Sequence, residues 1–182
     1  MKYDLIYADP PWHFKTWSDK GRGRSPKYPT MLVGDIITLG YYLKQVIADN
    51  AALFLWTTSP FLERSFEVIR AWGFTYRTMA FVWTKVNEDG SPFMGTGYYT
   101  RANAEYCLLG VRGSMPVHPS DRVQQAIIES VREHSRKPDC VYPRMHWMYD
   151  LKKLNSLELF ASKFSAPLAK KFGMTPVGYD VD

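Results

Sequence analysis

Short apolar runs bounded by turn residues recur along the chain, and several alternate with segments of helical periodicity. Few architectures bury such a pattern, and the simplest is an α/β fold with a mainly parallel central sheet flanked by helices. Leu5-Ile6-Tyr7-Ala8 reads as the first strand, Ala52 to Thr57 as the second and Thr78 to Trp83 as the third. They are near-continuously apolar, as strands covered on both faces should be. Glu105 to Val111, Ala126 to Ile128 and Leu157 to Ala161 extend the series, with Thr175 to Val177 a short last strand. Between the second and third strands, Ser59 is suited to cap a helix, Pro60 to its first position and Gly73 to its end. Leu62, Phe66, Ile69 and Trp72 fall on one face of that helix. Leu39, Leu43, Val46 and Ile47 predict another helix ending near Asn50, and a third is expected after Pro138, with Pro143 interrupting or restarting it.

At 182 residues the expected organisation is one domain over 1–182, on a prior of ~100–200 residues per domain. Two cysteines and four histidines form no metal-ligand spacing and no disulfide framework. The N-terminus has no signal-peptide layout and no apolar run reaches the length of a membrane span, so a cytoplasmic protein without membrane attachment is expected. A net charge of +5 suits a polyanionic partner. Six Trp, twelve Tyr and ten Phe exceed what a core of this size needs, which points to rings presented to a flat ligand.

Three aperiodic stretches are long enough to be functional loops, of which Arg112 to Asp121, with Pro116 and Pro119, is the least telling. His13 to Thr30 holds Lys15, Lys20, Arg22, Arg24 and Lys27 against the single acid Asp19, and Lys20, Arg22, Arg24 and Lys27 are candidate phosphate contacts. Asn87 to Asn103 carries Gly90, Gly95 and Gly97 before Tyr98, Tyr99 and Arg101. Its glycines would allow closure over a substrate, and its aromatics would hold a base taken out of its stack; a tyrosine pair entering a strand also fits a core.

The most informative residues are Asp9-Pro10-Pro11-Trp12, placed where the first strand ends. Ligands of open parallel sheets bind outside the carboxyl ends of strands. Two prolines fix φ and remove two backbone donors, so the Pro10 carbonyl is held rigidly beside the Asp9 carboxylate. Two acceptors suit the two N–H groups of an exocyclic aromatic amine, and an exposed Trp12 indole would give its ring a stacking face. Neither a nucleotide-triphosphate loop nor a serine-hydrolase nucleophile elbow is present.

Tyr7-Ala8-Asp9-Pro10-Pro11-Trp12 resembles the catalytic motif of the methyltransferases that act on the 6-amino group of adenine. The resemblance is to the branch that holds the messenger-RNA adenosine methyltransferase catalytic subunit and small phage and bacterial DNA adenine methyltransferases. It continues through Gly97-Tyr98-Tyr99-Thr100-Arg101 and Glu105 to Leu108-Leu109-Gly110-Val111-Arg112-Gly113, then His134-Ser135-Arg136-Lys137-Pro138-Asp139 and Leu157-Glu158-Leu159-Phe160-Ala161. It implies a Rossmann-like methyltransferase domain with permuted motif order and S-adenosylmethionine as donor. Asp9, Pro10, Pro11 and Trp12 would be catalytic, Asp9 lying also near the donor's amino group. Lys137 would pair with the donor's carboxylate, and Phe160 would lie on the donor. Ser162 stands where relatives carry Arg, and Gly178-Tyr179-Asp180 where they carry Gly-Asn-Glu or Gly-Asn-Gln. Asp180 is then the expected acceptor for ribose hydroxyls and Tyr179 a ring for adenine.

The expected function is methylation of adenine at its 6-amino group in nucleic acid, DNA before RNA. Two alternatives stay open: RNA adenine or the cytosine amine as acceptor, and a catalytically silent nucleic-acid-binding scaffold subunit. A chain this short has little room for target recognition, so either relaxed specificity or a second chain, a copy of itself or a partner subunit, is expected.

Overall fold

The apolar runs become seven strands of one sheet, in the order β5-β3-β4-β2-β1-β6-β7. The computed structural model describes residues 1–14, 28–97, 99–117 and 123–181. Along the chain these are β1 (Tyr3–Ala8), α1 (Val33–Val46), β2 (Ile47–Thr58), α2 (Leu62–Ala71), β3 (Thr75–Val86), β4 (Ala104–Arg112), β5 (Ala126–Ser130), α3 (Val141–Tyr149), β6 (Ser156–Leu159), α4 (Ala166–Lys171) and β7 (Met174–Val177). Four of the six ladders are parallel, so the mainly parallel sheet is present, while β4 runs against both of its neighbours. The reason is the connection: among the described residues no helix separates β3 from β4, and a chain that returns without a crossover must come back antiparallel. β2 and β3 are joined through α2, and β4 fills the place between them.

β1 lies inside the sheet, with Leu5–Ala8 paired to Ala52–Leu55 on one side and to Ser156–Leu159 on the other. Its side chains alternate between two cores. Leu5 and Tyr7 join Phe54, Trp56 and the residues of α3 in one core. Ile6 and Ala8 join Leu53, Leu55 and the apolar faces of α1 and α2 in the other. Both faces of the sheet are thus covered, and ligand access is left to its ends. Among the described residues no helix is long and apolar enough to cross a membrane.

Several element ends differ from expectation. α1 stops at Val46, because Ile47 already pairs with Tyr3, and Asn50 instead accepts the Ser114 N–H at 2.8 Å through its side chain. Ser59 does not cap α2; it opens a short 3-10 helix, Ser59–Phe61, with Pro60 inside it. Gly73 ends the helix as expected, in the left-handed conformation at φ +88°. Pro143 neither interrupts nor restarts α3. It sits in the first turn, where backbone N–H groups have no intrahelical acceptor to lose. α1 and α2 approach closely because position 40 lacks a side chain, since a Cβ there would lie 2.6 Å from the Ala71 carbonyl oxygen. Trp72 crosses the same interface to donate its indole N–H to the Ile36 carbonyl at 2.8 Å.

Candidate active site

After β1 the chain lays β2, β3, β4 and β5 on one side of it, β4 falling between β2 and β3, and then crosses back to place β6 on the other side of β1. The carboxyl end of β1 is therefore a topological switch point, where neighbouring connections diverge and leave a crevice. Asp9-Pro10-Pro11-Trp12 occupies that end. The Pro11 carbonyl accepts the Met31 N–H at 2.8 Å, which pins the turn to the segment entering α1. The Pro10 carbonyl accepts the Trp12 N–H at 2.9 Å, so it is not wholly free; a carbonyl has two lone pairs, and one remains for another donor.

Trp12 differs from expectation. Its side chain is 4% exposed, its indole N–H donates to the Trp56 carbonyl at 3.2 Å, and its ring stacks on Phe61 with centroids 5.2 Å apart. A neighbour already covers the ring that was expected to offer an open face. Trp56 also donates its own indole N–H to the Tyr7 hydroxyl at 2.9 Å, which ties β2 to the base of the turn.

Asp9 is the first member of a chain of alternating charge. Its carboxylate meets the Lys137 ammonium at 2.5 Å. Lys137 also reaches Glu105 at 3.2 Å, and Glu105 is paired in turn with Lys85. The Lys137 ammonium lies 5.7 Å from the Trp56 ring centre, within reach of its π face. Burial raises the Asp9 carboxyl above the ordinary range even though the adjacent Lys137 pulls it down. Burial acts the same way on Glu105, but there Lys137 and Lys85 outweigh it and the carboxyl is held low. Lys137 stays protonated, because Asp9 and Glu105 overcome the desolvation that would discharge it.

The loop that delivers Lys137 is fixed from several directions. Arg132 forks onto Asp139 at 2.7 and 3.1 Å and donates to the Lys137 carbonyl at 3.1 Å. Arg136 reaches the same Asp139 carboxylate at 2.8 Å. Ser135 adopts φ +66°, an uncommon conformation for a residue with a side chain, and its hydroxyl hydrogen-bonds the Tyr28 hydroxyl at 2.8 Å.

These groups open on a cavity of about 1400 Å³. The cavity brings together Asp9, Pro10, Pro11, Trp12, Tyr99, Arg101, Lys137, Phe160, Tyr179 and Asp180, all of them candidates from the sequence. Lys20, Arg22, Arg24, Lys27 and Tyr98 lie outside the described residues. Phe160 leaves β6 at φ +63°. Asp180 accepts the Lys163 N–H at 3.2 Å, which secures the segment after β7 against the start of α4.

The cavity wall also holds Tyr7, Tyr28, Phe61 and Glu158, to which the sequence alone assigned no role. Glu158 is buried and accepts the Tyr142 hydroxyl at 2.9 Å, and burial raises its carboxyl. Its signal was present in the sequence: an acid inside an otherwise apolar strand needs a buried partner. The chemistry offered is an ammonium beside a carboxylate, with aromatic walls on either side. That set fits a zwitterionic amino acid joined to a purine, and a flat amine-bearing ring next to it.

Fold and site together define a Rossmann-like α/β domain with its ligand cavity at the switch point of the sheet and an Asp-Pro-Pro-Trp turn in the cavity wall. The chain belongs to the MT-A70 family, which matches residues 3–175. It is 32% identical over 178 residues to the type II methyltransferase M.MunI of a Mycoplasma species, covering 88% of this chain and 72% of that protein. It is 29% identical over 167 residues to a probable N(6)-adenosine-methyltransferase MT-A70-like protein of Oryza sativa, covering 91% of this chain and 22% of that one. Against the human N(6)-adenosine-methyltransferase catalytic subunit METTL3 it is 28% identical over 143 residues, or 78% of this chain and 23% of that subunit.

Proposed function

We propose that this protein transfers a methyl group from S-adenosylmethionine to the 6-amino nitrogen of adenine in nucleic acid, with DNA as the first substrate. The observation that carries the reading is the Asp9 carboxylate, ion-paired with Lys137 at 2.5 Å beside the Pro10 carbonyl at the end of β1. S-adenosylmethionine, when bound, supplies an electrophilic methyl group. Lys137 would hold its carboxylate and Asp9 its ammonium, with Phe160, Tyr179 and Asp180 on its adenosine. Asp9 and the Pro10 carbonyl accept the two N–H bonds of the target amine, which draws the nitrogen lone pair out of conjugation with the ring. The nitrogen would gain the methyl carbon as that carbon's bond to the donor sulfur breaks, the sulfur leaving as a neutral thioether, and the proton it sheds would pass through Asp9, whose raised affinity for protons suits it to that passage. Holding acceptor nitrogen and methyl carbon in line supplies much of the rate.

DNA is placed first because the chain spans 72% of a type II methyltransferase and only 22–23% of the adenosine methyltransferases. The test is incubation of unmodified DNA and RNA with labelled donor, digestion to nucleosides and identification of the methylated product by mass. N6-methyladenine from DNA is expected. Label confined to RNA moves the acceptor, label on cytosine changes the base, and no label on any polymer overturns the enzymatic reading in favour of a binding subunit.

A further inference from the structure

The cavity straddles β1, and each side has its own aromatic wall. Toward β6 and β7 stand Phe160, Phe164 and Tyr179; toward β2 stand Trp12, Phe61 and Phe14. The β6 side is where the proposed function places the donor's adenosine, which leaves the β2 side for the second flat ring of the reaction. Within that wall the rings form a series. Trp12 is innermost, locked by its hydrogen bond to the Trp56 carbonyl. Phe61 lies against it, nearly parallel at 18°. Phe14 meets Phe61 edge to face, at 74° with centroids 4.9 Å apart, and is 39% exposed.

We propose that Phe14, backed by Phe61 and Trp12, is the surface on which the acceptor base stacks. The inference rests on the reading that Asp9 faces the acceptor amine. Phe14, 39% exposed in the wall of the cavity that also holds Asp9 and Lys137, offers π surface that any base can use. Its backbone is set for the task. The His13 N–H donates to the Met31 carbonyl at 3.1 Å, and the His13 ring is hydrogen-bonded to the Thr30 hydroxyl at 2.8 Å, so the residue before Phe14 is held on both sides. Trp12, two residues earlier, then supports the platform and does not itself touch the base.

The test uses Phe14→Leu, which keeps apolar bulk and loses the ring, beside Phe14→Tyr, which keeps the ring. Phe14→Leu is expected to raise the acceptor KM by roughly 5- to 150-fold, the range for one stacked base. The kcat and the donor Kd should stay near wild type, and Phe14→Tyr should restore the acceptor KM. Phe61→Leu should give a smaller shift of the same sign. Binding of two oligonucleotides, one with the target adenine and one abasic at that position, is measured alongside. The wild type should prefer the adenine, and Phe14→Leu should lose that preference even if turnover is undetectable. A wild type that binds both alike rejects the acceptor reading of the cavity and the platform with it. A wild-type preference that survives in Phe14→Leu, or a changed donor Kd in that variant, overturns the platform alone.

Discussion

Asp9 has to be ionised to accept an amine hydrogen, and its surroundings contest that state: burial favours the neutral acid and Lys137 the carboxylate. The acid limb of kcat/KM should therefore lie above ~3.9, the ordinary aspartate value. In Lys137→Met the ammonium that lowers Asp9 is gone while burial remains, so Asp9 holds its proton to higher pH and the limb moves upward. A profile recorded on that variant that stays in place, or moves to lower pH, would reject the coupling. Lys137→Met should also weaken donor binding about tenfold, on the scale of one charge-assisted hydrogen bond removed, as titration calorimetry would show. Asp9→Asn should end methyl transfer while circular dichroism stays native, because an amide presents a donor where an acceptor is wanted; turnover near wild type would remove Asp9 from the chemistry. At this scale the sequence is legible where chemistry is local: Asp-Pro-Pro-Trp announces itself in four residues. The burial of Trp12 is not legible there, because what covers it, Phe61 and the Trp56 carbonyl, comes from β2 and the turn after it.

Two elements hold the end of the cavity where the donor is proposed to bind. The loop between β5 and α3 is clamped where Arg132 and Arg136 converge on Asp139. Arg132→Ala is expected to raise the donor Kd by up to about tenfold, the loss of a hydrogen bond to a charged group. In a Lys137→Ala background the same change should add nothing; a further loss there would show that Arg132 acts on the fold at large. The segment after β7 depends on Gly178, where a Cβ would fall 1.7 Å from the Ala161 carbonyl oxygen. Gly178→Ala should destabilise the fold by ~1–3 kcal/mol, the cost of overpacking, and weaken donor binding as Tyr179 and Asp180 shift; a melting curve and a donor titration at native values would contradict it. Two glycines of the second loop, Gly95 and Gly97, have a packing use that the sequence does not announce. A Cβ at Gly95 or Gly97 would lie 2.0 Å from the Ala102 oxygen or 1.9 Å from the Thr100 oxygen, so these residues serve close backbone packing. Strand positions are legible from apolar runs, whereas the reversed direction of β4 is not, since periodicity carries no sign.

Over the whole molecule, the proposed function asks the cavity to admit part of a polymer as well as a cofactor, and the basic stretch at Lys20, Arg22, Arg24 and Lys27 follows Trp12 in sequence. Replacing all four with Gln should weaken oligonucleotide binding uniformly across sequences and flatten its salt dependence, by roughly 0.9 of a log–log unit on duplex DNA for each phosphate no longer neutralised. Donor binding should be unchanged. An identical salt slope would return the stretch to solvent and the search for the acceptor to smaller adenine compounds. The α/β class and the switch-point location of the site are readable from the order of runs and motifs. The sheet order is not, because it depends on which strand edges meet after the chain has crossed over β1. That interior position also governs how the protein is born. β1 leaves the ribosome before the other strands of this sheet, yet the partner for one of its edges, Ser156–Leu159, follows roughly 150 residues later. At cellular rates of synthesis that is a wait of roughly 8–30 s, during which Leu-Ile-Tyr-Ala presents an unpaired apolar edge to whatever is nearby. The wall of the pocket around Asp9 is therefore complete only after β6 and the residues that follow it have emerged.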